Sequence, residues 1–343
     1  MKRYLKSLFK ISISLITIGT IVMFIGLLMG GAKALSKEVT ELVHVVRVGV
    51  AETVERIPLL ESITNINGFT LVVDRDEVKV EVNEEYETIN GDYSNLKLAE
   101  ASQVQNLDIS ILNGKCYILP SANGYYGIES SDAEDFQCYV SDGTLYLSAF
   151  PKDFGTDAEK AEIILYIPNE TEYEKVILFC SGEQLEGEVR MTGNELSISS
   201  ICGKNTFSDN LIFEDAVITV GIGELNMNGL SADSVKIEVS TAEAEIDNLQ
   251  ADTMEVNLGM GTLSIQGITE EDIILNCGMG HLDIMLGCAQ EDYNYDISGS
   301  AESVQIGTDT LAGMVMERWI DNGSHKKITM SCAMGSVKIE FEQ

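Results

Sequence analysis

The stretch LNCGMGHLDIMLG, residues 275–287, sets a histidine beside a Gly-Met-Gly in a chain of 343 residues. Such a pattern invites a phosphate-cradling reading. A dinucleotide fingerprint needs G-x-G-x-x-G between a strand and a helix, and a P-loop needs G-x-x-x-x-G-K-[ST]. Neither is present, and beyond His281 the alternation of Leu282 and Ile284 reads as a strand. The three histidines, His44, His281 and His325, show no metal-ligand spacing of the H-x-x-x-H or H-E-x-x-H kind. The seven cysteines contain no C-x-x-C, which removes zinc ribbons and thioredoxin chemistry. No G-x-S-x-G nucleophile elbow occurs either. The sequence therefore nominates no catalytic residue, no cofactor-binding residue and no cofactor.

One set of carboxylates has a spacing worth weighing. Asp233, Asp252, Asp272 and Asp292 recur at near-constant intervals. If each fell on one turn of a stacked structure, neighbours would lie about 4.8 Å apart. Calcium, which takes carboxylate and carbonyl oxygens, would relieve that repulsion. Aspartate is also a common turn former through bonds to its own backbone. The nine-residue calcium repeat of β-rolls is absent, so solvated turns are the preferred reading and a calcium column the minor one.

The elements that carry these residues repeat. VKIEVSTAEAEI begins at Val235, MEVNLGMGTLSI at Met254, IILNCGMGHLDI at Ile273 and ITMSCAMGSVKI at Ile328, with looser copies from Leu196 and Ala216. The residue expected ahead of each corner is Cys202, Val220, Val239, Leu258, Cys277, Ile297 and Cys332, with Cys180 an earlier member. Val220 to Cys277 is stepped in intervals of 19 residues. Within each copy apolar residues alternate, which means short strands with one buried face. Leu230, Leu249 and Ile268 form a further expected inward column.

A unit this short cannot bury a core alone, so stacked copies predict a solenoid. The fold class expected is all-β, a parallel β-helix or β-solenoid of roughly 19-residue rungs. The Gly-Met-Gly becomes a corner, where glycine turns the chain by tolerating positive φ. Residues 69–82 read as a hairpin or a first rung, 62–170 as irregular opening rungs and 171–343 as regular repeats. A loop at 308–327 interrupts them. Cys180, Cys202, Cys277 and Cys332 are expected in one inward column as small hydrophobes. If the Ile297 rung separates Cys277 from Cys332, they lie about 9.6 Å apart, too far for a disulfide.

The first segment bears on compartment. Lys2, Arg3, Lys6 and Lys10 precede 21 uncharged residues, 11–31. About 20 apolar residues span a bilayer core, and flanking positive charge stays cytoplasmic. Residues 1–34 thus read as a basic cytoplasmic start and a transmembrane anchor, with everything later outside. Ala32-Lys33-Ala34 fits a signal-peptide cleavage site, but an apolar stretch of this length favours a retained anchor. Gly26 and Gly30 could bring two such helices together as a homodimer, although glycine is simply common in membrane helices. An apolar stripe at positions 35, 39, 42, 46, 50, 54 and 57 predicts a juxtamembrane helix over 35–61, with Pro58 near its end.

Net charge is −33, and beyond residue 61 fourteen basic residues face fifty acidic ones. The only arginines there are Arg75, Arg190 and Arg318. With no basic patch, nucleic-acid binding is not expected.

The strand–corner–strand copies, CYVSDGTLYL from Cys138, QEDYNYDIS from Gln290 and the ending DNGSHKKITMSCAMGSVKIEF from Asp321 resemble one family. It is the bacterial putative-adhesin domain family of unknown function, common in Gram-positive bacteria. The resemblance covers roughly residues 62–343 and the anchor layout. It implies a membrane-anchored β-solenoid displayed at the cell surface, and it carries no catalytic residues to transfer. The expectation is a non-enzymatic adhesin or envelope scaffold that meets the bilayer through residues 11–31 and a surface protein or glycan beyond it. The alternatives are a β-helix polysaccharide lyase or hydrolase, for which positive charge is scarce, and an envelope-stress regulatory protein.

Overall fold

A computed structural model of the chain describes residues 69–74, 77–82, 93–112, 114–121, 124–130, 136–149, 162–169, 171–300, 303–311 and 316–342. The anchor, the juxtamembrane helix, Gly26, Gly30 and His44 lie outside the described residues. No helix among the described residues is long and apolar enough to cross a membrane.

The expected all-β architecture is present. Residues 69–82 form the hairpin, Phe69–Asp74 paired antiparallel with Glu77–Val82. The rest builds two ladders of parallel strands joined at corners. On the first ladder, Val176, Leu196, Ala216, Val235, Met254 and Ile273 stand in register. On the second, Leu185, Asn205, Leu225, Ala244, Leu263 and Leu282 do the same. These columns are buried, as are those two residues further along, such as Ile237, Val256 and Leu275 on the first ladder and Ile246, Ile265 and Ile284 on the second. Period-two alternation thus gives the core directly: Leu258 points in and Asn257 out.

The outward residues form ladders of their own. Asn276 Nδ2 donates to Asn257 Oδ1 at 2.9 Å, and Asn248 Nδ2 donates to Asn228 Oδ1 at 2.6 Å. Stacking identical amides lets each rung satisfy the next. A second bend turns the chain at Gly229, with φ 90, and at Asn248, with φ 55, so Glu224–Val239 and Glu243–Leu258 continue as single long strands round it.

Chain order and stack order part company at both ends. Strand Ile273–Cys277 pairs with Lys326–Cys332, which in turn pairs with Tyr293–Gly299. The second ladder repeats this: His281–Leu286, then Ser336–Phe341, then Ser303–Ile306. The C-terminal rung is therefore inserted between two rungs that precede it in sequence. The expectation that an Ile297 rung separates Cys277 from Cys332 is wrong, because those cysteines are direct register partners. At the other end, Asn106–Ile111 and Lys115–Ser121 stack against Glu172–Cys180 and Gln184–Gly187. Residues Thr144–Ala149 and Glu162–Pro168 lie outside them.

Antiparallel strands close both ends. Phe136–Ser141 covers Thr144–Ala149 through an Asp142-Gly143 turn with both φ positive, the geometry that two-residue hairpins prefer. Met316–Ile320 covers Tyr293–Gly299, and Asp309–Leu311 covers Ser303–Ile306. The expected loop at 308–327 thus contains two short strands. An antiparallel cover presents a strand of the wrong direction to any further parallel rung, which blunts the open edge.

Three column assignments also shift. Ser200, buried, holds the place assigned to Cys202, and Gly299 that assigned to Ile297. Ile268 is exposed, because a register shift between Ile246 and Leu249 pairs Leu249 with Gly267.

Candidate functional site

The corners joining the two ladders stack into a ridge. Backbone bonds fix its order: Ile222 N donates to Ile201 O, Thr241 N to Gly221 O, Met260 N to Ser240 O, Met279 N to Gly259 O and Met334 N to Gly278 O, all within 2.7–3.0 Å. Cys202, Ile222, Thr241, Met260, Met279 and Met334 therefore follow one another along the tip. Each methionine sits between small residues, in Gly259-Met260-Gly261, Gly278-Met279-Gly280 and Ala333-Met334-Gly335.

At the methionine corners glycine serves by close approach rather than by the positive φ expected of it, which Gly203 and Gly223 do adopt at the Cys202 and Ile222 corners. A Cβ on Gly261 would meet Ala242 O at 2.1 Å, and one on Gly280 would meet Gly261 O at 2.4 Å. Neither glycine has positive φ. Stacked backbones leave no room for a side chain at those positions, so the chain turns its only large corner residue outward. Met260, Met279 and Met334 are 47%, 43% and 62% exposed. Three thioethers in a row on solvent are an unusual outlay of apolar surface. The sequence signal was the middle residue of each Gly-x-Gly, and reading the motif only as a corner missed it.

Beneath the ridge lie thiols. Cys180, Cys277 and Cys332 are buried in the inward column, while Cys202 is half-exposed at the tip, with Sγ donating to Ser181 O at 2.9 Å. All seven cysteines are free. Cys277 Sγ donates to Gly280 O and Cys332 Sγ to Gly335 O, each at 3.5 Å. The contact with Cys332, together with burial, holds the Cys277 thiol protonated well above the usual range. Burial pushes Cys138 and Cys180 up to about 12. Thiols held neutral in this way pack as hydrophobes and make poor nucleophiles.

His281 flanks the ridge, exposed. Its Nδ1 bonds Ser336 Oγ at 2.5 Å, and its Nε2 lies 3.4 Å from Asp283 Oδ2. His325 is exposed in the segment leading into the last rung.

The four aspartates do not form one column. Asp233 and Asp252 flank register-paired neighbours on adjacent rungs. The inserted C-terminal rung puts Lys327 next to Asp272, and Lys327 N donates to Asp272 Oδ1 at 2.8 Å. Asp292 lies beyond that rung, where its Oδ2 accepts from Ala289 N at 3.0 Å. All four are exposed. Asp292 bonds a backbone amide close in sequence, as turn-forming aspartates do, whereas the Asp272 bond reaches across to the inserted rung. Among the described residues no group of three or more His, Cys, Asp or Glu side chains is placed to hold a metal ion.

Along the outer faces, lysines pair with glutamates: Lys204 with Glu224, Lys236 with Glu238 and Lys338 with Glu340, each at 2.8 Å. A buried polar pair interrupts the core where Asn205 Nδ2 donates to Ser200 Oγ.

Parallel in-register rungs, stacked corners and antiparallel end covers define a capped β-solenoid. The chain belongs to the Toastrack family DUF4097, whose model matches residues 127–340, in keeping with the family of unknown function that the repeat phrases resemble. Among solved structures it is similar to a putative adhesin from Bacteroides fragilis, with 17% identity, 72% of this chain and 95% of that one covered, and a TM-score of 0.45. It is also similar to a putative adhesin from Parabacteroides distasonis, at 10% identity over 73% and 95% of the two chains and TM-score 0.35. A putative cell adhesion protein from Clostridium sporogenes matches at 14% identity over 72% and 97%, with TM-score 0.21. No curated protein matches.

Proposed function

We propose that this chain is a non-enzymatic, membrane-anchored solenoid that presents its faces to a protein or glycan at the cell surface, with residues 11–31 in the bilayer and the N-terminus cytoplasmic. The observation that carries this reading is the continuous parallel stacking of the first ladder from Thr144–Ala149 to Tyr293–Gly299, matched on the second ladder with one register shift between Ile246 and Leu249. Outward residues recur at each rung spacing of about 4.8 Å. A surface with that periodicity suits an extended ligand bound through many weak, equivalent contacts. The Lys–Glu pairs along the faces favour binding over catalysis, because those carboxylates are already engaged. The uncharged span and basic start favour display outside the cell.

Two measurements test the proposal. Protease added to intact protoplasts should remove an epitope placed after Gln343, and full protection of it would refute the topology. Crosslinking in intact membranes followed by pull-down should recover a surface protein or wall glycan. Recovery of cytoplasmic proteins alone, or turnover of a wall polysaccharide by the purified chain, would overturn the binding reading.

A further inference from the structure

We propose that Met260, Met279 and Met334 form a binding site for a soft monovalent cation, copper(I) or its analogue silver(I), held by thioether sulfur on the corner ridge. Three observations converge. The methionines occupy consecutive rungs, fixed by the bonds from Met279 N to Gly259 O and from Met334 N to Gly278 O, both 2.8 Å. They are exposed, so an ion reaches them without opening the core. Small residues flank each of them in sequence, and the neighbouring carbonyls forbid anything larger than glycine at Gly261 and Gly280.

Spacing decides the coordination. Neighbouring rungs repeat at about 4.8 Å, and two metal–sulfur bonds of about 2.3 Å placed in line span about 4.6 Å. Two thioethers extended side by side from adjacent corners therefore match a linear, two-coordinate ion with little rearrangement. Thioether is a soft ligand that suits copper(I) and not calcium or magnesium, which take oxygen ligands. The methionine chain, with three rotatable bonds, absorbs the residual mismatch. His281 is engaged with Ser336 and Asp283, and Cys202 is separated from Met260 by the Ile222 and Thr241 rungs, so neither is part of the site. Binding is reversible coordination and changes no oxidation state.

The ridge gives Met279 a role that the other two lack. It belongs to both adjacent pairs, Met260–Met279 and Met279–Met334. Without it, the remaining methionines stand two rungs apart, about 9.6 Å, twice the span of one ion. The test titrates copper(I), without oxygen, into the full chain in detergent micelles against a chromophoric copper(I) chelator. All variants carry Cys202→Ser and Cys288→Ser, which removes the two thiols that are not fully buried. Leucine replaces methionine at similar size on an exposed corner, so the fold is kept, and circular dichroism checks that it is. Met279→Leu should weaken binding by about ten- to a hundredfold, whereas Met260→Leu or Met334→Leu, which each leave one pair, should weaken it about twofold. X-ray absorption should report sulfur as the ligand. Equal losses for the three single variants, undiminished binding by Met279→Leu, or failure of the parent chain to compete with the chelator would each overturn the proposal. This outcome does not depend on where the solenoid is displayed.

Discussion

Leu258 and Asn257 are adjacent in sequence and opposite in fate. Leu258 is 4% exposed, directly beneath the ridge, where its side chain would lie 2.9 Å from a Cβ on Gly280. Leu258→Asp buries an unpaired carboxylate and should cost several kcal/mol. Asn257 faces out, donating to Glu255 Oε1 at 2.8 Å and accepting from Asn276. Asn257→Asp keeps the second bond but sets a carboxylate against Glu255, so a cost of about 0.5–1 kcal/mol is expected. Urea unfolding of both variants measures the difference, and equal shifts would refute the register. The buried pair Ser200–Asn205 gives a second residue-level expectation. Asn205 Oδ1 has no hydrogen-bond partner, although the residue is 1% exposed. Neighbouring rungs fill the same two places with Cys180 and Leu185, or Val220 and Leu225. Asn205→Ala alone should cost about 1–3 kcal/mol, by stranding the Ser200 hydroxyl, while Ser200→Val with Asn205→Leu should be neutral or stabilising. A double variant less stable than the single one would show that the pair contributes more than it costs.

At the scale of elements, the inserted C-terminal rung is the feature with the largest consequence. Removing an end rung from a solenoid costs one interface, because each repeat touches only its neighbours. Removing residues 325–343 takes a rung from between two others and leaves Ile273–Cys277 and Tyr293–Gly299 without their shared partner. Truncation after Ser324 should therefore abolish slow amide exchange at Leu275 and Leu282 and at Tyr295 and Ile297 together. Retained protection at Leu275 in the truncated chain would mean that the 293–306 rung can close the gap. The repeat period, the strand faces and the corners were all legible in the sequence, since local alternation and a fixed interval encode them. Stack order was not, because insertion joins rungs that are distant along the chain and leaves no periodic trace. One signal did exist. ITMSCAMGSVKI matches IILNCGMGHLDI more closely than the segment around Ile297 matches either, and Cys332 proves to be the register partner of Cys277. The glycine at 203 points to Cys202 as the corner residue, two places beyond the column that Ser200 fills. Counting from the start of the repeat copy at Leu196 places Ser200 correctly.

For the whole molecule, the groups buried with their protons set the alkaline limit of stability. Burial raises Cys138 and Cys180 from 9.0 to about 12, and it raises Cys116, Tyr173, Tyr293 and Tyr295 in the same direction. These are acids that the folded chain keeps neutral. Between the unfolded and folded values, the folded state holds protons that the unfolded state has released, so stability falls as pH rises. The contribution is complete below pH 9. It is then lost at about 1.4 kcal/mol per pH unit for each thiol until its folded value is passed, with the tyrosines adding to the slope above pH 10. The urea midpoint, measured at constant ionic strength because a body this acidic is sensitive to screening, should fall steeply from pH 9 upward. Replacing both thiols, Cys138→Ala with Cys180→Ala, lowers stability at neutral pH by leaving small cavities, yet it should flatten the decline between pH 9 and pH 10, where the tyrosines do not yet titrate in the unfolded chain. An unchanged slope in the double variant would show that neither Cys138 nor Cys180 carries the alkaline transition.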